Sequence, residues 1–485
     1  MIPTPTGLVI ILLGCWCLLG GHARILIVAV ALTTLEAADA ADLPALGGAS
    51  ITPVRLFLLF IILKLIRSKD GVTLLFAELS SRRVLFIYLL LLMWVLASAL
   101  FLPRLFNGMT LVYSLQRYAV DTGLIPVPLV PSSGNITQAV YATGSFVLSV
   151  GVAAIVRQNE GFSAILSGLL LVTGLDIGFA IADLVTSATN TGFLLNFVHT
   201  ANYALLTADE AGGLKRIAGS FTEASSFASF SLVLLAVNLS LFLLHVRPRL
   251  TGSYALALLV LLLLSTSTTA YVGVAVFAAV FVGYVLYALI RHADAGPLFI
   301  LGCALGFLAV GIAILTFTAP SLLSAAWDLI DTSVFKKSTS ESAEERGMLN
   351  QQALRIFFDT YGIGAGIGAT RTSNYVLLLA SNLGVIGLVL FGCLMMALVI
   401  VPLRRELTAL DRKVVTAARV GMVAALVPAL LISTIFDLGP LFYILVGVIA
   451  AGAAAPFAPE VRAVDWPRSP PAADMRSRGG ATRLS

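Results

Sequence analysis

Three arginines close to one another near the end of a long polar stretch carry the most specific chemistry in this chain. Between residues 319 and 373, Lys336, Lys337, Arg346, Arg355 and Arg371 face Asp328, Asp331, Glu341, Glu344, Glu345 and Asp359, a balance of +5 − 6 = −1. The early part, KKSTSESAEE, reads as a solvated charged face. From Arg346 to Asn374 three arginines oppose Asp359 alone, for a net +2. Guanidinium groups grip phosphate bidentately and stay charged at any physiological pH, so this half suits a phosphate-bearing ligand. Residues 342–358 hold good helix formers and no proline, which predicts a helix. On it Arg346 and Arg355 differ by about 900° of rotation and lie on opposite faces. Arg346 shares a side with Asn350, and Arg355 with Gln351 and Gln352. Arg371 escapes that constraint, because it precedes Thr372, Ser373 and Asn374, residues that cap helix N-termini. Helix N-termini attract anions, so Arg371 with Ser373 and Asn374 makes a candidate diphosphate site. Arginines that simply snorkel to water are the bland alternative.

A second constellation lies in LKRIAGSFTEASSFASF, residues 214–230, which gathers Lys215, Arg216, Glu223, Ser225 and Ser226. Glu223 suits a base or an orienting carboxylate beside an acceptor hydroxyl. Ser220 and Glu223 also fit the S-x-x-E capping box, which gives that carboxylate a purely structural use. Asp176 and Asp183 are spaced to share a helical face in or near an apolar run. Acids at membrane depth are expensive and usually functional, so this pair would suit a transporter or proton relay. Other chemistries fall away: the chain has no G-x-x-x-x-G-K-[ST], H-E-x-x-H or C-x-x-C. The run YGIGAGIGATR, with Gly362, Gly364, Gly366 and Gly368, lacks the dinucleotide spacing and reads as a flexible, closely packed loop. His199 has no metal-ligand neighbour, while His22, His245 and His292 fall at span ends. Cys15, Cys17, Cys303 and Cys393 all sit in apolar blocks and read as packing residues. No metal and no cofactor is expected.

Composition names the elements that must hold these residues. Of 485 residues 59% are hydrophobic and 11% charged, with a mean hydropathy of +1.00. A soluble protein carries about 25% charged residues, so an ordinary cytosolic enzyme, a disordered chain and a nucleic-acid-binding domain are excluded. Apolar blocks of about 15 to 25 residues match roughly 30 Å of hydrocarbon. They fall at 7–21, 24–40, 53–66, 84–102, 137–156, 161–186 and 222–244, then at 252–266, 269–290, 297–318, 374–401, 414–434 and 438–455. The fold class is therefore an all-α polytopic membrane protein of about 12 to 13 transmembrane helices. Residues 1–455 form one membrane domain, and 456–485 a basic, disordered tail. The N-terminus, MIPTPTGL, has no basic region of the signal-peptide kind, which argues against a cleaved leader.

Basic residues set the orientation. Lys64, Arg67, Lys69, Arg82 and Arg83 share one side with Arg157, Arg247, Arg249, Arg291, Arg404, Arg405, Arg412, Lys413 and the tail. By the positive-inside rule this side, with the C-terminus, is cytoplasmic. The net charge of +5 then reports topology rather than a polyanionic partner. Long connections at 103–136, 187–221 and 319–373 lie on the outer face, where long loops usually serve function.

In their order, RIAGSFTEASSFASF, STSTTAYVGVAV (265–276) and ERGMLNQQALRIFFDTYGIGAGIGATRTSNYVLLLASNLGVIGLVLF (345–391) resemble the O-antigen ligase and polymerase superfamily of bacterial inner-membrane proteins. Arg346 and Gly362 reproduce the Arg-x15-Gly spacing described for its polymerases. The resemblance covers roughly residues 200–400. It implies a C-type membrane glycosyltransferase fold with a long periplasmic loop, using neither a nucleotide sugar nor a metal. The donor would be an undecaprenyl-diphosphate-linked oligosaccharide, and the acceptor a hydroxyl of a growing polysaccharide. Flippase and chain-length regulator proteins would be partners. Glu223, Arg216 and Arg346 would be catalytic, with Arg371, Arg355, Lys215, Ser373 and Asn374 on the diphosphate. Two departures shape the reading. Ligases of this family commonly carry a histidine in the last outer loop, where 319–373 has none and Ser373 precedes Asn374. This favours a polymerase, for exopolysaccharide, capsule or O-antigen, over a ligase acting on lipid A core. Arg216 lacks the Arg-x10-Gly partner, since position 227 is Phe. A lipid-linked oligosaccharide transporter is the alternative from another class; it would line its bundle interior with polar residues.

Overall fold

The computed structural model describes residues 2–43, 49–68, 70–80, 84–113, 125–158, 160–201, 207, 210–211, 214–292, 302 and 341–454. The expected span at 297–318, Lys336 and Lys337, Cys303 and the tail 456–485 lie outside the described residues. The described part is mostly helical. Its helices are α1 (Pro5–Leu19), α2 (His22–Ala31), α3 (Pro53–Arg67), α4 (Gly71–Glu78) and α5 (Val84–Leu105). They continue with α6 (Ser133–Val156), α7 (Gly161–Ala188), α8 (Ala224–Leu243), α9 (Pro248–Leu264) and α10 (Thr268–His292). The last four are α11 (Glu341–Asp359), α12 (Tyr375–Ile400), α13 (Ala409–Ile432) and α14 (Pro440–Gly452).

Six of these, α5, α6, α7, α8, α12 and α13, are long and apolar enough to cross a membrane. Apolar side chains lie both inside and outside the bundle: Trp16, Met93, Phe101, Val389 and Met396 are exposed on helices. Only a hydrocarbon solvent makes such a surface stable, and only helices satisfy their own backbone groups within it. The chain is a multi-pass helical membrane protein. Cys17 packs in the core, while Cys15 and Cys393 face outward.

Small residues set the helix pairs. A methyl on Gly447 of α14 would stand 2.5 Å from the Ser149 carbonyl of α6, and one on Gly421 of α13 2.5 Å from Val237 of α8. Close approach of this kind replaces the hydrophobic driving force that lipid removes. Charged contacts then sort the two ends of the bundle. At one end Lys64 of α3 donates to the carbonyls of Leu18 and Gly20, and Arg157 pairs with Glu78 at 2.5 Å. The Arg404 amide binds the Gly452 carbonyl at this same end. This is the basic end expected from the sequence.

At the other end the chain forms short antiparallel ladders: β1 (Ile2–Pro3), β2 (Ala41–Leu43) and β3 (Ala49–Ile51) in that order, β4 (Leu111–Val112) with β5 (Val127–Pro128), and β6 (Glu210–Ala211) with β7 (Leu214–Lys215). Ile2 pairs with Asp42 and Thr4 Oγ1 donates to the Asp39 carbonyl at 2.6 Å, so the N-terminus lies at this end. The expected 24–40 span is shorter than its apolar run. Helix α2 stops at Ala31, one 3-10 turn covers Leu32–Thr34, and residues 36–39 form a loop.

Helix α12 is broken. Gly384 has φ 65° and ψ −163°, and the glycine run plugs the gap. The amides of Ala365 and Gly366 donate to the Ser381 and Asn382 carbonyls at 2.8 and 2.9 Å, and the Val385 amide to Gly362 at 2.9 Å. Trp94 Nε1 of α5 takes the Leu383 carbonyl at 2.9 Å. Every second residue of Gly362–Gly368 has positive φ, which glycine adopts without a Cβ clash. The run is a closely packed loop, as expected, and its amides are spent inside the protein: those of Ala365 and Gly366 on α12, that of Gly364 on Thr360 Oγ1 at 3.1 Å and that of Ile367 on Ser98 Oγ of α5 at 3.3 Å.

Candidate functional site

A cavity of about 280 Å³ opens at the end opposite the basic one. Thr33 and Glu36 line it from the segment after α2, Glu223, Ser226, Ser229 and Phe230 from the start of α8, and Pro428, Ile432 and Ser433 from the end of α13. Asp437 and Phe442 close it from the α13–α14 connection and α14. The lining mixes hydroxyls and carboxylates with aliphatic side chains and two phenylalanines, the composition of a small-molecule site.

Glu223 and Ser226 are the sequence-selected residues that reach this cavity, and Glu223 carries its charge there. It is itself the N-cap of α8, and Ser225 Oγ donates to its Oε1. The capping box expected from Ser220 and Glu223 does not form. Ser220 Oγ donates instead to the Thr34 carbonyl at 2.7 Å, because the chain from Ala218 to Glu223 is a turn packed on the loop after α2.

Sequence reasoning missed three charged groups here. Arg55 of α3 pairs with Asp437 Oδ2 and stacks over the Tyr141 ring at 4.1 Å. Asp437 Oδ1 accepts the Gly439 amide at 2.8 Å, and Ser145 Oγ donates to its Oδ2 at 3.4 Å. Glu36 is the third. Burial pushes its carboxyl up to about 7, against the pull of the Arg55 guanidinium and with a further push from Asp437. A signal was present in the sequence: each is a charge at the non-basic end of an apolar run, where topology gives it no task.

The arginine set stands across the end of α13 from this cavity. Helix α11 forms as expected and settles the opposition of Arg346 and Arg355. Its buried face carries Leu349, Ala353 and Ile356, and Asn350 Oδ1 accepts the Ser373 amide at 2.9 Å. The Arg346–Asn350 side therefore meets the loop before α12. Arg355 is exposed on the far side, and Gln352 Nε2 donates to the Leu111 carbonyl at 2.7 Å. Arg371 is half-buried, its amide on the Tyr113 carbonyl at 2.9 Å.

Asn374 is the N-cap of α12, as expected, with its Oδ1 accepting from Val376 and Leu377 at 2.9 and 3.2 Å. Three successive side chains then satisfy the orphan carbonyls at the end of α13. Thr372 Oγ1 donates to Ser433 at 3.3 Å, Ser373 Oγ to Leu431 at 3.4 Å and Asn374 Nδ2 to Leu430 at 2.9 Å. Ser373 and Asn374 thus hold the loop, and the cation closest to them in sequence is Arg371.

Lys215 of the upstream cations is spent on neighbours other than the cavity. Lys215 Nζ lies 3.4 Å from Asp183 Oδ1 and donates to the Thr207 carbonyl. Arg216 is half-buried in the segment that follows. Asp183 uses Oδ2 to accept the Ala218 and Gly219 amides at 2.8 and 2.9 Å, so it shapes the turn ahead of Glu223. Asp176 lies deeper, 1% exposed between α7 and α8, where Ser231 Oγ donates to its Oδ2 at 2.7 Å. The two acids therefore do different work. His199 Nε2 contacts the Gly219 carbonyl at 2.9 Å, another tie on the same turn. Comparison with known protein families, with curated proteins and with solved structures finds no match to this chain.

Proposed function

We propose that this protein is a polysaccharide polymerase of the bacterial inner membrane with a C-type glycosyltransferase architecture. It transfers an oligosaccharide from an undecaprenyl-diphosphate carrier to a hydroxyl of the growing chain. The basic end faces the cytoplasm with the C-terminus, and the cavity faces the periplasm. One observation carries the reading. The end of α13 joins an arginine-bearing loop, tied to it by three side chains, to a cleft lined by Glu223 and hydroxyl groups. Glycosyl transfer from a lipid diphosphate needs both: cations where charge develops on the leaving phosphate, and carboxylates near the hydroxyl that attacks. Arg371 and Arg346 take the first role and the cleft the second. A flippase would supply the donor, and a chain-length regulator would set the product.

Ligation to lipid A core uses the same chemistry and differs in acceptor. A transporter is the competing class, and Asp176 is the residue that favours it. Complementation of a strain lacking this protein separates them by polysaccharide length on gels. Arg371→Ala and Arg346→Ala should each abolish or shorten the polymer, while Asp176→Ala leaves its length unchanged. Loss of polymer in Asp176→Ala, with normal lengths in both arginine variants, would overturn the enzyme reading.

A further inference from the structure

At the basic end, far from the cleft, three cations from separate helices meet beside an exposed tryptophan. We propose that Arg24, Lys64 and Arg67 bind the headgroup of an acidic diacyl phospholipid, whose chains lie along the exposed stripes of α1 and α3.

Convergence is the first ground. Lys64 and Arg67 share the last turn of α3, three residues apart and so on one side of the helix. Lys64 Nζ donates to the Leu18 carbonyl at 3.2 Å and to the Gly20 carbonyl. Arg24 folds back from the start of α2 onto the same turn: a methyl on Gly20 would stand 2.6 Å from its Cζ. The charges of Arg24 and Arg67 both reach Lys64, and no carboxylate is among the groups acting on it. Like charges gathered in this way repel one another, and an anion from outside relieves that cost.

Unspent donors are the second ground. The carbonyls at the end of α1 account for part of the set, as cations at a helix C-terminus do. Among the described residues, Arg24 spends one N–H, on the Trp16 carbonyl at 3.3 Å, and the exposed Arg67 side chain makes no hydrogen bond. A guanidinium has five N–H donors, so both keep donors for phosphate oxygens. The start of α2 adds to them. Its N-cap, Gly21, has no side chain to accept from the leading amides, and such amides favour an anion.

The apolar surroundings identify the anion as a lipid. Arg24 Cζ stands 4.0 Å over the Trp16 ring. Trp16 is exposed together with Leu12 and Leu19, a spacing that makes one face of α1. Leu59, Leu63 and Ile66 form a matching exposed stripe on α3, which ends beside Arg67. An aromatic ring and cations at the foot of an apolar face mark the level where headgroups meet hydrocarbon. Soluble phosphate has no use for the stripes, whereas a diacyl lipid occupies stripes and cations together. A zwitterionic headgroup brings its own cation against the phosphate, so three unopposed positive charges select an acidic one.

The test uses the full chain in nanodiscs of equal parts phosphatidylcholine and phosphatidylglycerol, with bromine on the acyl chains of one lipid or of the other. Bromine quenches a nearby indole, and the emission lost in Trp16→Phe separates Trp16 from the other tryptophans. Trp16 should be quenched at least about twice as strongly when phosphatidylglycerol carries the bromine, since each cation near the surface attracts acidic lipid. Arg24→Gln combined with Arg67→Gln should make the two lipids equal. Arg249→Gln combined with Arg405→Gln removes the same charge from exposed positions elsewhere at the basic end, and should keep the preference. Equal quenching in the wild type overturns the site. So does a preference that survives loss of Arg24 and Arg67, or one that disappears with Arg249 and Arg405. A preference abolished by excess glycerol phosphate would assign the cations to a free phosphate and overturn the lipid. If the Arg24, Arg67 double variant does not fold, Arg67→Gln alone decides: a weaker preference supports the site, and an unchanged one refutes it. None of these readouts depends on the polymerase reading.

Discussion

Arg346 and Arg355 show how burial separates two residues of one type on one helix. Leu349, Ala353 and Ile356 bury one side of α11, and Asn350 fixes which flank meets the Ser373 loop. Arg355 is left in the open, where a guanidinium gains little from its surroundings. Arg355→Ala should therefore keep polymer yield within about twofold, whereas Arg346→Ala loses at least tenfold, about 1.4 kcal/mol of transition-state stabilisation. Arg371→Lys should fail to restore the Arg371→Ala defect, because an ammonium cannot reproduce a bidentate grip on phosphate. Rates measured with extracted lipid-linked substrate check both expectations.

Helix α12 is organised around its break. The Gly384 kink frees backbone groups that the glycine run and Trp94 recapture, so loop and helix form one unit. A Cβ at Gly384 would lie 2.2 Å from the Ile363 carbonyl oxygen at a positive φ. Gly384→Ala should cost about 1–3 kcal/mol in backbone strain before any clash is counted, seen as a lower unfolding temperature in detergent. Gly178 of α7 has open space around its Cβ direction, and Gly178→Ala should leave that temperature unchanged or raise it, since Ala is the better helix former. The Glu78–Arg157 pair does comparable work between α4 and α6. Its side chains are 1% and 8% exposed, so Arg157→Leu alone takes the guanidinium away from a buried carboxylate and should cost about 3–5 kcal/mol. Adding Glu78→Leu should recover most of that loss in the same melting measurement.

Among the described residues the two ends differ in charge balance. One end holds Lys64, Arg157, Arg404 and Arg412; the other holds the cleft carboxylates together with Arg55, Lys215, Arg346, Arg355 and Arg371. Orientation follows as an expected outcome. A single cysteine replacing Tyr361, 78% exposed, should react with a membrane-impermeant maleimide in intact spheroplasts. One replacing Glu406, whose side chain is 74% exposed, should react only after permeabilisation. The reverse pattern would turn the molecule over and place the cleft on the nucleotide-rich side.

Amino-acid order alone determined the features that rest on local physics. Hydropathy marks the apolar helices because each span satisfies its own backbone in lipid. Helix propensity places α11 within one residue at each end, 342–358 expected and Glu341–Asp359 found, and side-chain chemistry makes Asn374 a cap. Tertiary structure decided everything that depends on distant partners. Glu36 looked like the end of a span because its neighbours are Ala and Leu, yet α2 stops short of it. Arg55 and Asp437 are 382 residues apart, and no periodicity links them. Gly384 resembles other helix glycines until the loop at 362–368 reaches it. Pairing energies between remote segments arise only when the chain closes. A sequence can therefore name the groups capable of chemistry, while the packing of α8 and α13 with the segments after α2 and before α14 selects those that share a cleft.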